Sequence, residues 1–127
     1  MSIVGIGTDI IEISRIVNMS DKAKARLAKR VLTDNEYQRY LTLNLKDAFL
    51  AKRWAGKEAT AKALGTGIAQ GVSFQHIEIS NLVSGKPTLL LTEQALLLAK
   101  EQGATQWHIS LSDEATYATA FVVLSSD

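Results

Sequence analysis

From Ile11 to Leu64 the chain carries no proline and a single glycine, Gly56, and the only proline of the sequence is Pro87. Long stretches of that kind suit helices, because proline removes a backbone donor and an interior glycine costs about 1 kcal/mol relative to alanine. Helices are therefore expected through this part of the chain. Thr33 and Glu36 have the spacing of a capping box, Lys46 to Leu64 is alanine-rich, and Gly65 is a natural helix stop. The flanking regions have a different period. Residues 3–8 alternate Ile3, Gly5 and Gly7 with Val4, Ile6 and Thr8, which predicts an opening strand. Beyond the glycines at 65, 67 and 71, FQHIEI and TLLL flank SGKP, where Gly85 turns the chain and Pro87 opens an edge strand. Thr92 to Gln102 predicts a helix ended by Gly103, and WHISLS with YATAFVVL predicts two strands joined near Asp113 and Glu114. The order strand, helices, hairpin, helix, hairpin points to an α+β fold with an antiparallel sheet, not a doubly wound parallel one. At 127 residues, one domain over residues 1–127 is expected, with a folded surface of roughly 6,600 Å².

The whole chain has a net charge of +1, so general attraction to nucleic acid or an anionic membrane is not expected. With no cysteine, disulfides, thiolate metal sites and cysteine nucleophiles are excluded, which is compatible with a reducing cytoplasm. The start, MSIVGIGTDII, has no basic leader, and runs such as ALLLA fall far short of the roughly 18 apolar residues of a membrane span. A soluble, unprocessed protein is expected.

Charge is nevertheless concentrated locally. Between Ser14 and Arg30 the net charge reaches +5, from Arg15, Lys22, Lys24, Arg26, Lys29 and Arg30 against Asp21. Arg15, Met19, Lys22, Arg26 and Lys29 have the spacing of a single helix face. A solvated surface accounts for such a face, and so does an acidic protein partner. Nucleic acid fits less well, because no aromatic residues interleave the cations. Ala51, Trp54, Ala55, Glu58 and Lys62 also share a helical stripe, which places a carboxylate among packing residues. Glu58 with Lys62 is equally readable as a surface i,i+4 ion pair worth a few tenths of a kcal/mol. Asp9 ends the apolar run GIGTDII, where an aspartate can cap a following helix. Two inward carboxylates beside a lysine also suit a hard divalent cation carrying phosphate, since Mg²⁺ takes one or two protein carboxylates and completes its shell with water and phosphate oxygens. The glycine patterns GIG and GTGIAQG match neither a Walker loop nor a dinucleotide fingerprint.

GIGTDIIEISR, FLAKRWAGKEATAKALGTG and the GKP turn together resemble the holo-acyl-carrier-protein synthases, a branch of the phosphopantetheinyl transferases. The resemblance runs from Ile3 through HISLSDE and YATAFV. It implies transfer of the phosphopantetheine arm of coenzyme A to a serine of apo acyl carrier protein, supporting fatty acid synthesis and requiring Mg²⁺. By the same resemblance Asp9 and Glu58 are the metal carboxylates and Lys62 lies beside the pyrophosphate. Arg53, Gly65 and His108 fall at coenzyme A positions, although His108 is equally readable as a packed strand histidine. Arg15 and the cations after it match a helix that meets the carrier, and single-copy relatives are trimers, so a homotrimer is implied. Where some relatives have histidine after the SLS segment, this chain has Asp113, which leaves that turn without an assigned role. The serine proton would pass to Glu58 or to a metal-bound water. Two further readings remain: a non-catalytic module that docks acidic proteins through the Arg15 to Arg30 face, and a Mg²⁺-dependent nucleotide hydrolase.

Overall fold

A computed structural model describes residues 1–127. Its opening strand, β1 (Ser2–Glu12), runs past the expected end at Thr8 and takes in Asp9, Ile11 and Glu12. The extension follows from pairing. β1 lies antiparallel to the last strand, β5 (Tyr117–Ser126), with Gly7 opposite Val122 and Asp9 opposite Ala120. Strand β4 (Gln106–Asp113) pairs with the other edge of β5, giving the order β1-β5-β4. A second antiparallel sheet is the hairpin β2 (Ile77–Asn81) with β3 (Pro87–Leu91), so the single sheet expected from the sequence is two. Pro87 opens β3, and Gly85 turns the hairpin with φ +94°. Helix α5 (Glu93–Glu101) follows, and Gly103, with φ +89°, lets the chain turn back into β4.

The helical half comprises α1 (Ser14–Val17), α2 (Asp21–Val31), α3 (Asp34–Thr42) and α4 (Lys46–Leu64). The cationic face from Arg15 to Lys29 does not run along one helix. Ser20 takes an extended backbone and its hydroxyl accepts from Ala23 N, starting α2 afresh after α1 has ended. Lys22, Arg26 and Lys29 keep their common face on α2, whereas Arg15 belongs to α1 and Met19 to the link between them. The capping box forms as expected: Thr33 Oγ1 accepts from Glu36 N and the Glu36 carboxylate accepts from Thr33 N at 2.8 Å.

Alanines Ala51, Ala55, Ala59 and Ala63 of α4 are buried against the inward face of the three-stranded sheet, where Ala118, Ala120, Val122 and Leu124 point. Gly5 and Gly7 bring the helix closer still. A Cβ on Gly5 would overlap the carbonyl oxygen of Ala63, and one on Gly7 would overlap that of Ala59. On the other side of α4, Lys57 is fully buried. Its ammonium donates to Glu36 and to the carbonyls of Val31 (2.6 Å) and Phe74 (3.2 Å), fastening the ends of α2 and α3 to α4. The surface area is 6988 Å², slightly above the scaling expectation of roughly 6,600 Å². Apolar residues left outside contribute to it: Ile6 (62% exposed), Ile10 and Phe121 lie on the outer face of the three-stranded sheet.

Candidate functional site

Strand alternation sends Gly5, Gly7, Asp9 and Ile11 of β1 toward α4, and the glycine contacts draw that helix in. Asp9 therefore lies under the last turns of α4 as an ordinary strand residue. It does not cap a helix: the N-cap of α1 is Ile13, and no side chain caps that end. Its Oδ1 accepts from Lys62 Nζ at 2.9 Å, and the same ammonium donates to the Thr8 carbonyl at 3.0 Å. The Asp9 side chain is 16% exposed, whereas that of Lys62 is 53% exposed and open to solvent. An ammonium has three N–H donors. Two are engaged on β1, and the third is free.

Glu58 stands one helical turn before Lys62, half-buried. Burial pushes its carboxyl above the usual carboxylate range, and the negative charge of Asp9 pushes it the same way. The Trp54 indole, Lys62 and Arg30 oppose the shift without cancelling it. Asp9 and Glu58 are thus close enough to repel each other, and one exposed lysine does not neutralise both. An all-oxygen donor pair with surplus negative charge suits a hard dication. No group of three or more His, Cys, Asp or Glu side chains converges anywhere in the chain, so two protein carboxylates are the donor set on offer.

A solvent-open depression of ≈ 450 Å³ reaches Asp9 and Lys62 from the outer face of the sheet, lined also by Ser110, Ser112, Thr119 and Phe121, and Glu58 is not part of its lining. The serines of β4 and Phe121 of β5 escaped sequence reasoning because only the strand register brings them across to β1. Arg15 also joins this region. Its guanidinium stacks over the Trp54 ring at 5.0 Å, one turn of α4 before Glu58. Lys22, Arg26 and Lys29 are exposed on α2, and Met19 is half-buried beside them.

Three residues carried over by resemblance lie elsewhere. Arg53 is buried on the flank of α4 that faces α3 and β2, stacked over Phe49 at 4.5 Å and bonded to Asn81 Oδ1 at 2.9 Å. Burial lowers its guanidinium to about 10, with Glu36 resisting the shift. His108 is exposed on β4 with Nε2 3.2 Å from Ser125 Oγ. It lines a separate groove of ≈ 500 Å³ with Lys86 and Pro87 of the GKP turn, and is not buried against its neighbours as a packed strand histidine would be. Gly65 ends α4 in the left-handed conformation, φ +83°, three residues after Lys62. Asp113 pairs with Lys52 of α4 at 3.1 Å.

Known proteins resemble the chain over nearly its full length. Residues 5–122 match the family model described as the 4'-phosphopantetheinyl transferase superfamily. The chain is 52% identical over 126 residues to a holo-[acyl-carrier-protein] synthase of Shewanella denitrificans, covering 99% of this chain and 100% of that one. Among solved structures, the holo-[acyl-carrier-protein] synthase of Neisseria meningitidis superposes with a TM-score of 0.88 at 41% identity, over 98% of this chain and 99% of that one. The Bacillus anthracis enzyme, solved in complex with CoA (3',5'-ADP), gives 0.83 at 39% identity with all of both chains covered.

Proposed function

The chain belongs to the 4'-phosphopantetheinyl transferase superfamily, and from that premise we propose that Asp9, Glu58 and Lys62 form the centre at which it turns apo acyl carrier protein into its holo form. It is a holo-[acyl-carrier-protein] synthase, moving the 4'-phosphopantetheine group of coenzyme A onto a carrier serine. The serine Oγ gives up its proton, to Glu58 or to a water, and forms a bond to the phosphorus bearing the pantetheine arm. The bond from that phosphorus to the bridging pyrophosphate oxygen breaks, and adenosine 3',5'-bisphosphate leaves with the electron pair. Such transfers depend mainly on positioning and on neutralising charge. The third N–H of Lys62 is available to a phosphate oxygen, while its other two hold the ammonium against β1. Asp9 and Glu58 would hold Mg²⁺, which when bound supplies charge neutralisation at the pyrophosphate. The single observation that carries the assignment is the Lys62 to Asp9 contact beside Glu58, which joins the GTDI and WAGKEATAK segments in one place.

The finer parts of the proposal concern setting and assembly. The outward Ile10 and Phe121 line the depression at Asp9, with Ile6 exposed on the same sheet face, which supports a trimer whose subunit boundaries run past the site. The exposed cations of α2, with Arg15 of α1, offer a surface for an acidic carrier. No helix is long and apolar enough to cross a membrane, and we place the reaction in the cytoplasm, feeding fatty acid synthesis. The test is to mix the protein with apo carrier, coenzyme A and Mg²⁺ and weigh the carrier by mass spectrometry. The carrier should gain the mass of the arm, and Asp9→Ala and Glu58→Ala should each abolish the gain. No adduct on any carrier removes the proposal, and Mg²⁺-dependent activity surviving in both variants removes the metal assignment.

A further inference from the structure

The last four carbonyls of a helix have no partner inside it. In α2 these belong to Lys29, Arg30, Val31 and Leu32, because the Leu32 N–H makes the final helical bond, to Ala28. All four are engaged from outside the helix. Lys57 Nζ of α4 donates to the Val31 carbonyl at 2.6 Å. Gln75 Nε2 donates to the Leu32 carbonyl at 2.8 Å and to that of Arg30 at 3.1 Å, with the Lys29 carbonyl at 3.4 Å. A primary amide has two N–H donors, so one of them is shared between two of these carbonyls.

Gln75 is itself held in place. It lies in the short turn Phe74–His76, where Ser73 Oγ accepts from Gln75 N at 3.1 Å and His76 Nδ1 accepts from Ser73 N at 3.3 Å. On the same turn the Phe74 carbonyl accepts from Lys57 at 3.2 Å, and the Phe74 ring lies under the Arg30 guanidinium at 5.5 Å. Buried Lys57 and exposed Gln75 thus clamp one end of α2 from two sides. Lys57 immediately precedes Glu58 in α4, so the clamp ties the cationic helix to the part of α4 that carries the reacting groups. At its other end α2 is capped by Ser20, and the Lys24–Asp47 ion pair reaches α4 about three turns before Glu58.

We propose that Gln75 is a positioning residue for the transfer: by closing the carboxyl end of α2 it sets where a carrier docked on Lys22, Arg26 and Lys29 presents its serine to Glu58 and Lys62. The inference rests on the transferase reading above. Electrostatic docking needs only the charges of α2, which a neutral substitution at Gln75 leaves in place. In-line transfer also needs that helix in register with α4. Because Gln75 is exposed, its replacement leaves the core packing intact.

The experiment compares the unsubstituted protein with Gln75→Leu, which has no donor, and Gln75→Lys, which keeps N–H donors and adds a positive charge suited to a helix carboxyl end. Each is checked for folding by circular dichroism, and coenzyme A affinity is measured by calorimetry. At saturating carrier, turnover of Gln75→Leu should fall about tenfold, short of the roughly hundredfold that ~1 Å of misplacement costs, because Lys57 still holds the Val31 carbonyl. The KM for carrier and the coenzyme A affinity should stay as they were, and Gln75→Lys should recover most of the turnover. Unchanged turnover in Gln75→Leu, a loss of coenzyme A affinity in step with turnover, or no recovery in Gln75→Lys overturns the positioning role. Amide hydrogen exchange is followed on the same proteins without substrate. The last turn of α2 should exchange faster in Gln75→Leu while β5 stays protected, and equal rates overturn the clamp whether or not any arm is transferred. A loosened α2 in Gln75→Leu, beside an unsubstituted protein that transfers no arm, counts against the proposed reaction and not against the clamp.

Discussion

Replacing Gly7 by alanine adds one methyl group at the tightest approach between β1 and α4. The new Cβ would stand 2.7 Å from Ala63 N and would overlap the Ala59 carbonyl oxygen, both of them backbone atoms that cannot rotate aside. Ordinary contact begins near 3.4 Å, so the helix must retreat from the strand by at least 0.7 Å, and by more to clear the oxygen. A retreat of that size takes Lys62 Nζ from 2.9 Å to beyond hydrogen-bond range of Asp9 and moves Glu58 with it. Overpacking of this kind costs about 1–3 kcal/mol. For a chain of this length that corresponds to a fall in melting temperature of about 3–15 °C. Displacement of catalytic groups by ~1 Å is worth on the order of a hundredfold in rate. Calorimetry and the carrier mass assay, run below the lowered melting temperature, should therefore show a folded protein with turnover reduced by about that factor. If Gly7→Ala melts and turns over like the unsubstituted protein, the close approach does not assemble the site.

Lys57→Met leaves Glu36 buried without its main cation and should destabilise the fold by about 3–5 kcal/mol, while the double variant with Glu36→Gln should recover part of that loss in chemical denaturation. Glu58 has a raised proton affinity in the fold, so above its ordinary value of 4.5 the folded state holds more protons than the unfolded chain and stability falls as pH rises through that window. In chelator, Glu58→Gln should flatten this slope and raise the melting temperature near neutral pH, and it should lose any stabilisation that Mg²⁺ gives the unsubstituted protein. A pH profile unchanged by the substitution contradicts the raised proton affinity that burial, and then Asp9, give Glu58. Charge reversal at Lys22, Arg26 and Lys29 should slow carrier association, most visibly at low salt, while coenzyme A binding measured by calorimetry stays as it was. Equal losses for both substrates mean that α2 is not a separate docking surface.

Sequence alone was sufficient wherever the physics is local. The Thr33 and Glu36 capping box, the 19-residue helix from Lys46 to Leu64, the glycine stops at 65 and 103 and the hairpin around Gly85 each depend on residues within a few positions of one another. The family signature likewise lies in short contiguous segments, which is why Asp9, Glu58 and Lys62 stand out in the sequence itself. Misjudgements came where neighbours in space are distant in sequence. β1 continues through Glu12 because β5, at the other end of the chain, supplies its hydrogen-bond partners. The cationic spacing looked continuous because a face pattern cannot register the break that Ser20 makes when its hydroxyl caps a new helix. Arg53 had a family position but no visible partner: its guanidinium meets Arg39 only because α3, α4 and β2 pack together, as Asn81 Oδ1 records. Composition and short-range pattern fix dihedral preferences and the stripe each element must bury. Which polar groups end up sharing a pocket is settled by how those stripes pack, and here two glycines on β1 set how near the helix can come.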